Sequence, residues 1–272
     1  MSDKILRRKK PSFSSSATLV VYAILGIILL AYLVVPLANL TPAIFARQDF
    51  IGDFSRPEVL SALGVSFLTA SISACIAAFF GIPLAYLLAR RNFRGKSLVS
   101  MLVVLPLVMP PLISGTTILL AFSSAGISHL VTQSLPGIIL AQLYVASPFM
   151  VISSRVALEG VDENYEKMSR VLGKSEFETF RRITLPLAKS GIIAGFVLTW
   201  IRALGEFGAT LIVSYSPHTI SIQAWQDYLS GGIYYAIPDV ILVVLVAIGV
   251  LSLIELSGTD LLFSRAGAKT KR

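Results

Sequence analysis

The amino-acid sequence predicts an all-α fold, a polytopic membrane helix bundle with six transmembrane helices. Its mean hydropathy of +0.78 and its low share of charged residues, 14%, lie far outside the range of soluble domains. The apolar residues also gather in blocks that are long enough to cross a bilayer as helices. Because soluble elements alternate apolar with polar positions instead, we expect this bundle to form in lipid.

Six apolar blocks are the predicted membrane spans, and their bounds are 17–40, 60–89, 98–122, 136–156, 191–213 and 237–256. Basic residues precede the first block as in a signal peptide. The block is too long for the apolar region of such a peptide, and no small-residue cleavage pattern follows, so we interpret it as a retained helix. The predicted organisation is a cytoplasmic basic tail at 1–16, a membrane domain at 17–256 and a cytoplasmic tail at 257–272.

Basic residues predict the orientation of the chain in the membrane. Twenty of the 23 Lys and Arg residues fall in the two tails and in the segments 90–96 and 155–189. Only Arg47 and Arg56 fall on the opposite side, and Arg202 lies inside the fifth block. The positive-inside rule therefore predicts a multi-pass protein of the plasma (inner) membrane with both termini in the cytoplasm. Basic residues spread over four segments next to lipid do not form the basic face of a nucleic-acid-binding protein.

The segment between the fourth and fifth blocks, residues 157–189, is predicted to form two short helices on the cytoplasmic side, and we call it the elbow. Asp162 can cap the first helix, and Gly173 can supply the left-handed residue that ends it. Ser175 begins a capping-box pattern at the start of the second helix. Pro186 is expected to end that helix.

The elbow is amphipathic and has no net charge between residues 162 and 182, where five acidic residues offset five basic ones. Val161, Tyr165, Met168 and Leu172 recur at helical spacing. This pattern favours a docking surface for a protein. The alternative is a helix that lies on the lipid surface, but such helices usually carry a strongly basic polar face.

Gly173 and the run Ile183-Thr184-Leu185-Pro186 resemble the cytoplasmic signature loop of binding-protein-dependent ABC importer permeases. That loop is written E-A-A, three residues, G, nine residues, I-x-L-P, and the spacing from Gly173 to Ile183 fits it. The E-A-A triplet is not reproduced, because Lys167-Met168-Ser169 stands at its place and Glu166 lies one position early. Individual contacts of the triplet therefore do not transfer to this chain.

Two further stretches, 90–115 and 202–221, resemble the oxyanion branch of this family, the permeases for molybdate, tungstate and sulfate. The run Arg202-Ala203-Leu204-Gly205-Glu206-Phe207-Gly208-Ala209-Thr210 is the most specific part. The segment Ser216-Pro217-His218-Thr219-Ile220-Ser221 is more similar to the permeases for molybdate or tungstate.

The resemblance implies an importer with several subunits. Two copies of the chain would assemble with two ATP-binding cassette ATPase subunits, and an extracytoplasmic oxyanion-binding protein would deliver the substrate. ATP hydrolysis is then expected on the ATPase, so the chain itself is a transporter subunit, not an enzyme, and requires no cofactor. The residues expected to form the ATPase-coupling surface are Tyr165, Glu166, Met168, Leu172 and Gly173.

Two groups of residues inside the spans are candidates for the pathway or its gate. Arg202 and Glu206 stand four apart with Gly205 between them, in a block taken as one continuous helix. They either form a structural ion pair, or Arg202 handles the passing anion. Pro110 and Pro111 interrupt the third block, where a kink suits either a gate or a static bend.

Other functions remain open at this point. A sulfate or thiosulfate permease is the nearest alternative, and an ion-coupled secondary transporter would use Arg202 and Glu206 for proton coupling. No internal repeat supports a secondary transporter, and a membrane enzyme ranks last because the chain has no catalytic motif. His129 and His218 are predicted to be solvated, and no metal site is expected.

Overall fold

The computed structural model describes residues 16–40 and 50–256, and within them all regular structure is helical. The helices are α1 (Ser16–Ala38), α2 (Phe50–Phe54), α3 (Pro57–Arg90), α4 (Lys96–Val108), α5 (Pro111–Ser124), α6 (Leu135–Glu159), α7 (Glu163–Val171), α8 (Glu176–Thr179), α9 (Lys189–Leu204), α10 (Gly208–Val213), α11 (Ile220–Gly231) and α12 (Ile233–Leu256). The predicted all-α class is confirmed. Arg47, residues 1–15 of the predicted basic tail and the predicted tail 257–272 lie outside the described residues.

Four of the described helices, α1, α3, α6 and α12, are each long and apolar enough to cross a membrane. Two bent pairs can add further crossings: α4 meets α5 at 117°, and the stretch Glu176–Leu187 meets α9 at 76°. Six spans result only if each bent pair counts as one. Contacts divide the chain into two units between Phe50 and Ile51, so α1 belongs to the first unit and α3 to α12 belong to the second.

The third predicted span, 98–122, is broken in two. Met109 and Pro110 both take extended backbone angles between α4 and α5. Each of these residues precedes a proline, and the proline ring disfavours the helical conformation of the residue before it. Pro111 then occupies the first turn of α5, where its missing N–H is not needed. The sequence predicted a kink, and the structure has a much sharper break.

The fifth predicted span, 191–213, is also broken, so its assignment as one continuous helix is wrong. Helix α9 ends at Leu204 and is followed by Gly205, while α10 starts only at Gly208. Gly205 has low helix propensity, which favours the end of α9 at this point. The side chain of Glu206 accepts a hydrogen bond from the backbone N–H of Ala209, in the first turn of α10. Arg202 and Glu206 therefore do not lie on one continuous helix, as the sequence analysis expected.

The first half of the elbow folds as predicted. Asp162 caps α7 by accepting a hydrogen bond from the backbone N–H of Asn164 at 2.9 Å. Gly173 follows α7 with φ +81°, in the left-handed region that glycine adopts without strain. Ser175 and Glu178 form the reciprocal capping box at the start of α8.

The second half of the elbow differs from the prediction, because Pro186 does not end the helix. The chain continues from α8 through a π-helical turn, Phe180–Thr184, and a short α-helical turn, Leu185–Leu187. Pro186 lies in the first positions of that last turn, directly after the π-helical turn. The helix then bends at Ala188 into α9.

The core of the second unit lies between α3, α6 and α9, and small residues allow these helices to approach closely. Ala70, Ala74 and Ala77 of α3 are buried. On α9, a Cβ atom built at Gly195 would lie 2.8 Å from the Cβ of Ser153 on α6. The centre of the bundle is therefore close-packed, and α9 runs from this centre to the break that follows it.

Candidate functional site

The two helix breaks lie against each other. A Cβ atom built at Gly208, the first residue of α10, would lie 2.8 Å from the Cβ of Pro111, the first residue of α5. One turn further along α5, a Cβ atom built at Gly115 would lie 2.7 Å from the carbonyl oxygen of Ala209. Such distances are shorter than real carbon contacts, so only glycine permits this approach of the two backbones. The break between α4 and α5 thus packs directly against the break between α9 and α10.

A cavity of about 520 Å³ opens beside the paired breaks. All of the residues predicted to form the pathway or gate lie on its wall: Pro110, Pro111, Arg202, Gly205 and Glu206. Most of the remaining wall is apolar and is formed by Leu112, Phe207, Leu211 and Trp225. The structure therefore brings together five residues that are about 90 positions apart along the chain. Their role in transport stays a prediction.

Glu206 is 1% exposed and is held on both sides. Its Oε2 atom lies 2.5 Å from Nη1 of Arg202, an ion pair by distance that lacks the angles of a hydrogen bond. Its Oε1 atom accepts a hydrogen bond from the backbone N–H of Ala209 at 2.9 Å. The carboxylate thereby caps α10 and balances the arginine, which suits the favourable potential at a helix N-terminus.

Arg202 faces the cavity, and its side chain is 30% exposed. Its contact with Glu206 is the only ion pair that it forms among the described residues. A guanidinium carries five N–H donors, so the contact with Glu206 does not engage all of them. The predicted ion pair is present, and contact of Arg202 with the passing anion stays a prediction.

The elbow presents an apolar ridge to its surroundings. Tyr165, Met168 and Leu172 are exposed, as expected for a docking surface. Val171 and Phe177, which the sequence pattern did not select, are also exposed. The predicted helical spacing included Val161, but this side chain is buried in the core, because it lies before the first turn of α7.

Glu166 does not belong to this exposed ridge, although the prediction grouped it with the coupling residues. It is 3% exposed, and its carboxylate lies between Arg90 and Thr184. The turn at Gly173 separates α7 from α8 and leaves open space around its Cα atom. Of the five predicted coupling residues, four therefore line the outer surface and one lies inside.

Most of the chain, including the elbow and both helix breaks, is similar to a known protein family. Residues 81–259 match the family described as binding-protein-dependent transport system inner membrane component. The chain belongs to this family. It is therefore an integral membrane permease, a component of a transport system and not an enzyme.

Three curated relatives match most of the permease. A probable molybdenum ABC transporter permease protein of Haloferax volcanii is 43% identical and covers 86% of this chain and 88% of its own length. A molybdate/tungstate transport system permease protein of Thermococcus kodakarensis is 37% identical, with 86% and 93% covered. A sulfate transport system permease protein of Synechococcus elongatus is 30% identical, with 97% of each chain covered.

Solved structures show that the fold of the permease is known. A bacterial alginate ABC transporter, solved in complex with an alginate pentasaccharide-bound periplasmic protein, matches with a TM-score of 0.68 at 17% identity, over 92% of this chain and 97% of the other. The inward-facing MetNI methionine ABC transporter matches with a TM-score of 0.58 at 19% identity, over 74% and 92%. At such low identities these matches establish the fold alone.

The sequence analysis did not predict a charged network around Arg56 of the permease. Arg56 donates a hydrogen bond of 2.6 Å to the carboxylate of Asp227. Its Nε atom donates another, of 3.2 Å, to the backbone carbonyl of Asp53 and lies 4.0 Å from the carboxylate of that residue. Burial lowers the pKa of Arg56, but the hydrogen bond and the negative charges of Asp227, Asp239 and Asp53 outweigh it and leave this pKa above its usual value. Asp227 lies 171 positions from Arg56, so no local pattern could reveal this contact.

The two histidines of the permease have no paired metal ligands, and no group of three or more His, Cys, Asp or Glu side chains in residues 16–40 and 50–256 could hold a metal ion. His218 is nevertheless not fully solvated as expected. Its Nδ1 atom lies 3.2 Å from Gln223, and its ring packs edge-on against Tyr215.

Replacing each partner of the Arg202–Glu206 pair should have unequal effects. Arg202→Gln leaves Glu206 buried and unbalanced, and we expect a loss on the order of 3 kcal/mol in unfolding free energy. Glu206→Gln should cost less, because the new side chain can still accept from Ala209 and Arg202 is partly exposed. Thermal unfolding of the purified variants and of the double variant measures the coupling. Equal and additive losses would contradict the buried ion pair.

Proposed function

We propose that the chain is the membrane-spanning subunit of an ATP-driven importer for a tetrahedral oxyanion, most specifically molybdate or tungstate. The observation that carries this proposal is the cavity at the paired helix breaks, which holds an arginine with unused donors in a chain 37–43% identical to molybdenum and molybdate/tungstate permeases. The relatives support the substrate class, and the cavity offers a place for the anion.

The chemistry of the cavity suits a doubly charged anion. The guanidinium of Arg202 can donate two parallel hydrogen bonds to neighbouring oxygens of one tetrahedral anion. Glu206 would repel such an anion if its charge were free, but its oxygens are engaged by Arg202 and by the N–H of Ala209. Apolar walls from Leu112, Phe207 and neighbouring residues offer no further charges, so binding would be weak enough for release.

The partners follow from the same proposal. Two copies of the chain would assemble with two ATP-binding cassette ATPase subunits, which dock on the exposed ridge of Tyr165, Met168 and Leu172. An extracytoplasmic binding protein would deliver the anion on the opposite side. Both termini and the elbow would face the cytoplasm, in agreement with the distribution of basic residues.

Helix α9 connects the elbow to the proposed gate at the helix breaks. ATP-driven closure of the ATPase subunits would move the elbow, which continues through its bend at Ala188 into α9. Helix α9 ends at Leu204, directly before the break that carries the cavity. A shift of this helix would open the paired breaks first to one side and then to the other, by hinge motion at residues 205–207.

Sulfate or thiosulfate import is the second candidate. It is supported by the 30% identity to the sulfate permease of Synechococcus elongatus over almost the whole chain. Molybdate and sulfate share tetrahedral shape and double charge, so an arginine-lined cavity can pass either. The higher identity to molybdate/tungstate permeases favours the first candidate.

Uptake by the assembled transporter tests the substrate. The chain, its ATPase and its binding protein are reconstituted in vesicles, and ATP-dependent uptake of molybdate is measured with tungstate or sulfate as competitor. We expect tungstate to compete at concentrations similar to molybdate, and sulfate to require at least a tenfold excess, about 1.4 kcal/mol in binding free energy. Competition by sulfate at equal concentration would support the second candidate.

Replacing an apolar residue of the elbow ridge tests the docking surface. Leu172→Asp places a charge at the exposed apolar position, so we expect the ATPase to be lost during co-purification while the permease still inserts in the membrane. Asn164→Asp is the matched control, because it adds the same charge to α7 at an exposed position outside the ridge. Retention of the ATPase by Leu172→Asp, or an equal loss in the control, would contradict docking on this ridge.

A further inference from the structure

Arg90 and Glu166 form a buried contact between α3 and the elbow. Arg90 is the last residue of α3, and its Nε donates a hydrogen bond of 2.9 Å to Oε1 of Glu166. Its Nη2 donates a second, of 2.7 Å, to the backbone carbonyl of Val161. The two side chains are only 7% and 4% exposed. One guanidinium thus contacts both Val161, two residues before α7, and Glu166 within that helix.

Glu166 also contacts the segment that leads to α9. The hydroxyl of Thr184 donates a hydrogen bond of 2.9 Å to Oε1 of Glu166, and Thr184 itself is fully buried. Thr184 is the last residue of the π-helical turn, Phe180–Thr184. Such wider turns change the direction of side chains and often occur at functional positions. A single carboxylate therefore joins α3, α7 and the approach to α9.

A second contact supports the same connection one turn earlier on α3. The ring of Tyr86 packs edge-on against that of Phe180, with 4.9 Å between the ring centres. Leu88 of α3 is buried in a cluster that also contains Leu158 and Val161. The C-terminal end of α3 is thereby fixed to both halves of the elbow, although 76 positions separate Arg90 from Glu166 in the sequence.

We propose that the Arg90–Glu166 pair is a positioning contact that transmits movement of the elbow to α3, so that ATPase closure moves α3 and α9 together. This inference rests on the proposed coupling function of the elbow. The elbow connects directly along the chain to α6 and α9 but reaches α3 only through side chains. Helix α3 also packs against α6 and α9 in the core, and the Arg90–Glu166 pair gives its C-terminal end a direct contact with the elbow.

The arrangement requires the shape of an arginine side chain. Its planar fork can donate to Glu166 and to the carbonyl of Val161 at once, whereas a lysine ammonium at the end of a flexible stem cannot reproduce both directions. Arg91, the next residue, provides a natural contrast. It forms an ion pair with Glu176 of α8, but both side chains are about half exposed. Exposed pairs contribute little to rigidity, so Arg91 should not transmit movement.

The test measures anions imported per ATP hydrolysed by the assembled transporter in vesicles, for Arg90→Lys, Thr184→Val and the control Arg91→Gln. We expect the Arg90→Lys permease to bind the ATPase subunits, and the assembled transporter to hydrolyse ATP. It should import about tenfold less anion per ATP, which is the effect of one lost charged hydrogen bond. Thr184→Val should lower the ratio about threefold, because it removes one hydrogen bond without leaving a buried charge. Arg91→Gln should match the wild type.

A wild-type ratio in both Arg90→Lys and Thr184→Val would overturn the proposal. If Arg90→Lys does not fold, Thr184→Val decides: a lowered ratio supports transmission, and an unchanged ratio overturns it. Equal loss in Arg91→Gln would also overturn it, because coupling would then depend on charge near the elbow in general. Failure of the wild-type chain to bind an ATPase would instead contradict the proposed function, so the two failures are distinguishable.

Discussion

A carboxylate buried inside a membrane protein must be neutralised, and the surroundings of Glu206 follow from this need. Arg202, four residues earlier, supplies the positive charge, and the N–H of Ala209 supplies a hydrogen bond. That N–H is free to donate only because α9 has ended and α10 begins anew at Gly208. The absent side chain at Gly208 then lets Pro111, at the other break, approach within van der Waals contact. The ion pair, the break and the cavity are thus one interdependent structure.

Helix α9 connects the elbow to the cavity. Helix α9 has 16 residues and therefore extends about 24 Å from the bend at Ala188 to the break after Leu204. Its flank against α6 contains Gly195, where no side chain separates the two helices. Close packing of this kind transmits displacement with little loss, since interiors are poorly compressible. Helix α9 therefore connects the bend that follows the elbow to Arg202 and the break beside the cavity.

Features that depend on neighbours along the chain could be predicted from the sequence. The apolar blocks, the cap at Asp162, the left-handed turn at Gly173 and the pairing of Arg202 with Glu206 all follow from local spacing, and the structure contains each of them. Features that depend on distant partners could not. The angle at Pro110 is set by packing against α10, and the burial of Glu166 is set by Arg90, 76 positions away. The prediction of one continuous helix for the fifth span was wrong for a different reason, because apolar composition does not reveal where a helix ends.

Thiol accessibility at the cavity wall tests most directly whether the paired breaks line the transport pathway. Leu112 lies on this wall and is partly exposed, so Leu112→Cys can report on it once the native Cys75 has been replaced by Ser. The measurement is the rate at which a water-soluble thiol reagent modifies this cysteine in the assembled transporter. The rate is compared with and without ATP, and with and without molybdate. If the paired breaks line the pathway, the rate changes with ATP, modification is slower in the presence of molybdate, and uptake is lost after modification. Equal rates in all states, together with full uptake by the modified transporter, would contradict it.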